Sequence, residues 1–260
     1  MTDQLTKSYQ PIIEILDSGF EIPQLGRKRR IAVLLPYDYY ESDKKYPVLY
    51  LHDGQNLFDE YAPYGNWGID KSLVSLSEEG IFNAIIVAID HGGELRIQEY
   101  LPYSTPRYTQ AEGDLYIRFM LEDLKPMIEE KYRVLGDRAS TGIGGSSLGG
   151  LISLYAGFQH PDKFGKMMIF SPSLWISEAI YTLAKTFTPG GPTDIYLYAG
   201  GMESANHYGQ VMRLDNILQE KRKYDGFDVI FAHNPSGRHS EINWGQQFPI
   251  AFKWLFYSKY

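Results

Sequence analysis

The sequence predicts an α/β fold built on a doubly wound, mostly parallel sheet, with antiparallel strands at its start. Three observations carry this. Two short runs, residues 46–52 and 84–89, are apolar on both faces, as strands covered by helices on both sides should be. Segments with helical spacing alternate with such runs along the chain, the pattern of βαβ units. Between residues 139 and 155, small apolar residues run into a glycine-rich turn and then a helical pattern, with Leu148, Leu151, Ile152 and Tyr155 on one face.

Residues 10–19 and 29–36 read as extended segments, the second stopped by Pro36, with Gly26 and its polar neighbours as the hairpin between them. The third strand is 46–52, followed by a loop over 52–58 and a helix near 67–79. Residues 81–90 form the next strand. The segment 91–113 reads as a long loop, and a long loop in a compact domain is usually functional. From Asp114, the residues Ile117, Met120, Leu121, Leu124, Met127 and Ile128 mark one helix face, which Pro126 should kink or restart. After the strand–turn–helix come a strand at 166–170, a helical region at 175–186, a strand at 194–199, a helix at 206–222, a strand at 227–232 and a closing helix from about 242 to the end. No repeat, low-complexity tract or linker divides the chain, so one domain over residues 1–260 is the economical expectation.

Composition narrows the function. The chain has 260 residues, 43% hydrophobic and 22% charged, with a net charge of −7, which argues against nucleic acid as a main partner. The run Arg27-Lys28-Arg29-Arg30 goes the other way, and reads as a solvated strand entry. With no cysteine, disulfides, thiolate nucleophiles and Cys-bound metals are excluded. The N-terminus is polar and no apolar run has the length of a spanning helix, so the expectation is a soluble, cytoplasmic protein. The oligomeric state is not readable.

Within the turn, Gly145-Ser146-Ser147-Leu148-Gly149 matches G-x-S-x-G. That pattern carries chemistry where a strand enters a sharp turn and then a helix, because the strained turn lifts a serine hydroxyl out of the sheet. Ser147 is then the nucleophile. A serine hydroxyl needs a neighbouring base, usually histidine, oriented by a carboxylate. In α/β hydrolases the order is Ser, acid, His, each just beyond a strand. Glu203 follows the strand 194–199 and His239 follows the last strand, so both fit. Asp90 is the remaining alternative for the acid, and His233 the main rival for the base; His160 reads as a surface residue. Two backbone N–H groups should face the developing oxyanion. Leu148, opening a helix, supplies one, and Gln55, next to Gly54 in the loop after the third strand, is the choice for the other. His52 and Asp53 read as a structural turn. His52, Asp53, Asp90 and His91 have no metal-motif spacing, so no metal is expected.

Together these pieces resemble the esterase family of α/β hydrolases that includes S-formylglutathione hydrolase (esterase D), feruloyl and acetyl-xylan esterases, trilactone siderophore esterases and mycolyltransferases. The resemblance runs from about Arg30 to Leu255. It rests on Tyr46-Pro-Val-Leu-Tyr-Leu-His-Asp-Gly, Gly144-Gly-Ser-Ser-Leu-Gly-Gly, Tyr196-Leu-Tyr-Ala-Gly-Gly-Met-Glu203, and Gly237-Arg-His239 with Trp244. The His-Asp-Gly-Gln-Asn-Leu-Phe form looks most like an esterase-like bacterial branch. The loop after the third strand differs from that of members acting on glutathione thioesters, so that substrate is not implied. The resemblance implies Ser147, Glu203 and His239 as the triad and Gln55 and Leu148 as oxyanion donors. The stretch from Arg96 to Tyr103 resembles the family's segment beside the active site, so Arg96, Glu99 and Tyr100 are expected to line the pocket or fix the loop. The expected function is hydrolysis of small acyl or carbohydrate-linked esters without a cofactor. Acyl transfer to an alcohol by the same triad, and a catalytically silent hydrolase-fold binding protein, are the alternatives.

Overall fold

In the computed structural model, which describes residues 8–257, eight strands form one sheet in the order β1-β2-β4-β3-β5-β6-β7-β8. They are β1 (Ile12–Ile22), β2 (Arg27–Leu35), β3 (Val48–His52), β4 (Ile85–Ile89), β5 (Thr141–Ser146), β6 (Lys166–Phe170), β7 (Thr193–Gly200) and β8 (Phe227–Asn234). The β1–β2 and β2–β4 pairings are antiparallel and all others parallel, as expected. The β1–β2 hairpin turns through Gly26, whose φ of 61° lies in the left-handed region that glycine enters without strain. It runs three residues past the expected end of the first strand, to Ile22.

The pleat sends alternate residues of each strand to opposite faces. On β2, Ile31, Val33 and Leu35 join one core with the helices α3 (Gly113–Phe119), α4 (Lys125–Lys131), α5 (Leu148–Gln159), α6 (Ala179–Thr186) and α7 (His207–Gln219). Ala32 and Leu34 join the other, with α1 (Ile69–Glu78) and α8 (Glu241–Tyr257). This two-sided cover is why β4, and β3 up to Leu51, are apolar at every position. The last three residues of the expected closing helix lie outside the described residues.

Two expectations need correction. The segment 91–113 is not all loop: Gly93–Leu95 makes a turn of 3₁₀ helix that leads into a short helix, α2 (Arg96–Tyr100). The basic run is not a solvated strand entry either. Arg29 is buried and its Nη2 lies 2.8 Å from Glu99 Oε1. Arg27 bridges Glu99 and Glu112, and Arg30 bridges Asp59 and Asp90. Of the four, Lys28 alone has a mostly exposed side chain. The run therefore clamps β2 to α2 and to the segments after β3 and β4.

Pro126 acts as expected of a helix interruption. The Met120–Leu124 stretch between α3 and α4 widens into a π-helical turn, and Pro126 sits at the start of α4. Proline offers no N–H and its ring crowds the carbonyl four residues back, so a locally wider turn relieves the conflict without ending the helix.

Candidate active site

The sheet delivers six chain segments to one rim, at the C-terminal ends of β3, β4, β5, β6, β7 and β8. There a cavity of about 630 Å³ is lined by Asp53, Asn56, Tyr64, His91, Arg96, Ser146, Ser147, His239, Ser240, Glu241 and Trp244.

Ser147 stands between β5 and α5 with φ 57° and ψ −119°, a conformation rarely tolerated by a residue with a side chain. Its surroundings hold it there. Ser147 N donates to Phe170 O at 3.0 Å, and Ser147 O accepts from Ser173 N at 3.0 Å. The tight turn demands glycine on both sides: a Cβ on Gly145 would stand 2.9 Å from the carbonyl carbon of Gly149. A Cβ on Gly149 would stand 3.1 Å from Asp53 Oδ2 and 3.2 Å from His52 Cβ. Small residues here let β3, β5 and α5 approach closely. Ser147 Oγ is 3.2 Å from Ser173 Oγ, and that contact, not His239, is its hydrogen bond in this structure.

Glu203 follows β7 by three residues and His239 follows β8 by five. They meet: Glu203 Oε2 is 2.7 Å from His239 Nδ1. The other carboxylate oxygen, Oε1, accepts from Ser171 Oγ and from Gly200 N, both at 2.6 Å. Ser171 Oγ in turn accepts from the indole Nε1 of Trp244 at 2.9 Å. The Trp244 ring also stands edge-on to the His239 imidazole, with centroids 4.8 Å apart. The Glu203 side chain is 2% exposed, and burial by itself would raise its pKa. The hydrogen bonds from His239 and Ser171, the nearby His207 and the Gly200 N–H more than offset burial, and hold the carboxyl below its usual range.

On the opposite side of the cavity, Arg96 grips Asp53 through two hydrogen bonds of 2.7 Å each. Burial opposes the Asp53 charge, but the guanidinium outweighs it and keeps the carboxyl below its ordinary value. Asp53 is itself in the left-handed region, with φ 59°, and introduces the Gly54–Asn56 turn. The Gln55 side-chain carbonyl accepts from His91 N at 3.0 Å, which ties this turn to the end of β4. Leu148 is the first residue of α5, where a backbone N–H has no intrahelical acceptor.

The remaining candidates separate cleanly. Of the three expected at the pocket, Arg96 lines the cavity. Glu99 and Tyr100 do not: both are fully buried, Glu99 against Arg29 and Arg27, Tyr100 against His52 and Tyr116. They fix the segment from beneath. Asp90 pairs with Arg30. His233 is exposed and lies against the Tyr208 ring, centroids 4.4 Å apart. His160 is half-buried after α5. His52 is buried, with Nδ1 2.9 Å from Tyr116 Oη, and burial pushes its pKa down to about 4. Among the described residues, no group of three or more His, Asp or Glu is placed to hold a metal ion.

Sequence reasoning passed over Ser171, Ser173 and His207. Both serines follow β6, at the same sheet rim as the other strand ends, and that position is the signal that could have found them. His207 opens α7 four residues after Glu203, a spacing that puts it back beside the carboxylate.

Comparison with known proteins bears on the family and the fold. The Esterase family model matches residues 22–255. The chain is 25% identical over 240 residues to uncharacterized protein YbbA of Bacillus subtilis, covering 88% of this chain and 92% of that protein. It is 36% identical over 187 residues to the ferri-bacillibactin esterase BesA of Bacillus subtilis, covering 61% of this chain and 60% of BesA. It spans less of the iron(III) salmochelin esterase of Escherichia coli, 43%, at 26% identity over 72% of this chain. Among solved structures, the BES protein from Bacillus cereus superposes with a TM-score of 0.74, at 20% identity, over 99% of this chain and 98% of that one. That likeness is one of fold.

Proposed function

This chain belongs to the Esterase family, and from that membership we propose that it is a serine carboxylic-ester hydrolase using Ser147, His239 and Glu203. One observation carries the reading: Glu203 holds Nδ1 of His239 at 2.7 Å, which leaves Nε2 free to serve the cavity that Ser147 also lines. With its Nδ1–H given to Glu203, the imidazole is in the tautomer whose Nε2 accepts a proton.

The steps follow. Ser147 Oγ turns from Ser173, attacks the ester carbonyl and passes its proton to His239 Nε2. The tetrahedral oxyanion is received by the backbone N–H groups of Leu148 and Gln55; each such donor is worth about 3 kcal/mol of barrier. His239 returns the proton to the departing alkoxide, leaving an acyl group on Ser147. Water then attacks the acyl-enzyme, losing its proton to His239, which returns it to Ser147 Oγ as the acyl C–O bond breaks and the acid is released. Glu203 stays ionised and stabilises the imidazolium. The catalytic contact between serine and imidazole is commonly loose before substrate arrives, and tightens in the Michaelis complex.

A cavity of about 630 Å³ suits a small acyl or carbohydrate-linked ester. Relatives named as siderophore esterases support a carboxylic ester as the substrate. The test is turnover of p-nitrophenyl acetate, then of a panel spanning acyl length, feruloyl esters and trilactones. Ser147→Ala should keep its fold and lose at least about a thousandfold in kcat. Undiminished turnover in that variant would refute the assignment.

A further inference from the structure

Glu203 Oε2 faces two imidazoles. His239 Nδ1 lies at 2.7 Å, and on the far side His207 Nε2 lies at 3.2 Å. The two rings stand nearly perpendicular, 84° apart, with centroids separated by 6.1 Å. Their settings differ. The His239 side chain is 41% exposed and meets the cavity, whereas that of His207 is 5% exposed and lies behind the carboxylate. His207 is out of substrate's reach, yet its Nε2 is buried, turned to Glu203 and without an aligned hydrogen bond in this resting geometry.

An ionised carboxylate can only accept, so a nitrogen facing it must carry the proton. A buried N–H left unmatched costs about 1–3 kcal/mol, a cost that falls away if the carboxylate shifts by a few tenths of an ångström toward it. The triad reaction supplies the occasion. When His239 takes the serine proton it becomes a cation, and a carboxylate with too few donors would draw the Nδ1 proton across. Glu203 and His239 are the titratable groups that act on His207, alongside its burial.

We propose that His207 is a positioning residue: its Nε2–H is a second imidazole donor to Glu203 Oε2, keeping that carboxylate ionised and aimed at His239 while His239 carries the catalytic proton. This rests on the reading of Ser147, His239 and Glu203 as the triad, and concerns a group that touches neither substrate nor serine.

The experiment compares wild type, His207→Leu, His207→Gln and Glu203→Ala in p-nitrophenyl acetate hydrolysis from pH 5 to 9. With His207→Leu, kcat should fall about tenfold and KM change less than twofold. The acid-limb pKa of kcat/KM should rise, because a carboxylate with one donor fewer holds the His239 proton more tightly. His207→Gln, which restores an N–H donor, should recover most of both effects. His207→Leu with wild-type kcat and pH profile, beside an inactive Glu203→Ala, would overturn the role of His207 and leave the triad standing. An active Glu203→Ala would overturn the triad reading and the proposal with it. A measurement on the wild-type protein needs no variant to fold: ¹⁵N spectra of the histidine rings at neutral pH should show His207 as the Nε2–H tautomer. A bare Nε2 would overturn the proposal.

Discussion

At Ser171 a single hydroxyl joins the indole of Trp244 to the carboxylate of Glu203. The residue is fully buried and has φ 44°, so its backbone is strained as that of Ser147 is. Ser171→Ala removes one donor from Glu203 and strands the Trp244 N–H. The expected outcome is a stability loss of about 1–3 kcal/mol by urea unfolding, and a drop in kcat larger than any change in KM. A variant as active as wild type would show that Gly200 N and the two imidazoles suffice to hold the carboxylate. Why Ser147, Glu203 and His239 can be read from sequence, and Ser171 and His207 cannot, follows from what each touches. The first three sit just past strands in a fixed chain order. The others act only through Glu203, and a group that works through another residue leaves no spacing of its own. Glu99 misled for the opposite reason: Arg96, three positions before it on the same short helix, does line the cavity, whereas Glu99 is drawn beneath the helix by Arg27 and Arg29, partners that no local spacing announces.

Helix α2 is held less by its own five residues than by the ion pairs beneath it. Glu99, with no exposed surface, answers Arg29 at 2.8 Å and Arg27 at 2.9 Å, and so ties the helix that carries Arg96 to β2. Removing one member of a buried pair leaves the other charge uncompensated, at a cost of about 3–5 kcal/mol. Glu99→Ala should therefore lose stability on that scale in urea unfolding. It should also lose kcat/KM, because Arg96 no longer holds Asp53 and the turn that carries Gln55. A loss below about 1 kcal/mol would mean that water readily replaces the carboxylate. The strands of this sheet are legible because two apolar faces write themselves into β4 and into β3 as far as Leu51. The clamp is not, because the partners of Arg27, Arg29 and Arg30 lie between 29 and 85 positions away along the chain. A run of cations looks alike whether water or carboxylates receive it. The segment 91–113 hides α2 for a related reason: one turn of helix is too short for periodicity to show.

For the whole molecule, the same convergence of strand ends that makes the site also buries ionisable groups, and these set a pH dependence of folding. His52, at the end of β3, is the clearest. Burial, with a smaller push from Arg96, lowers its pKa to about 4 against the partial opposition of Asp53. An unfolded histidine titrates near about 6.5, so between those values the unfolded chain binds a proton that the folded chain refuses. Stability is then full above about pH 6.5 and declines as pH falls toward about 4, with His52 alone worth about 3 kcal/mol across the window. His91 and His207, also lowered by burial, act in the same direction. Asp53 and Glu203 have depressed pKa values, so their contribution is present above the unfolded carboxylate range and lost only as pH falls through the lower folded values. Two acid limbs should thus appear, the histidine one first. Unfolding free energies from urea titrations at pH 7.5 and 5.0 should differ by about 2 kcal/mol on account of His52, and His52→Asn should flatten that step while leaving the fall below pH 4 in place. A wild-type protein equally stable at both pH values would mean that His52 finds a counter-charge when folded. A His52→Asn protein as steep as wild type would move the cause to His91 and His207.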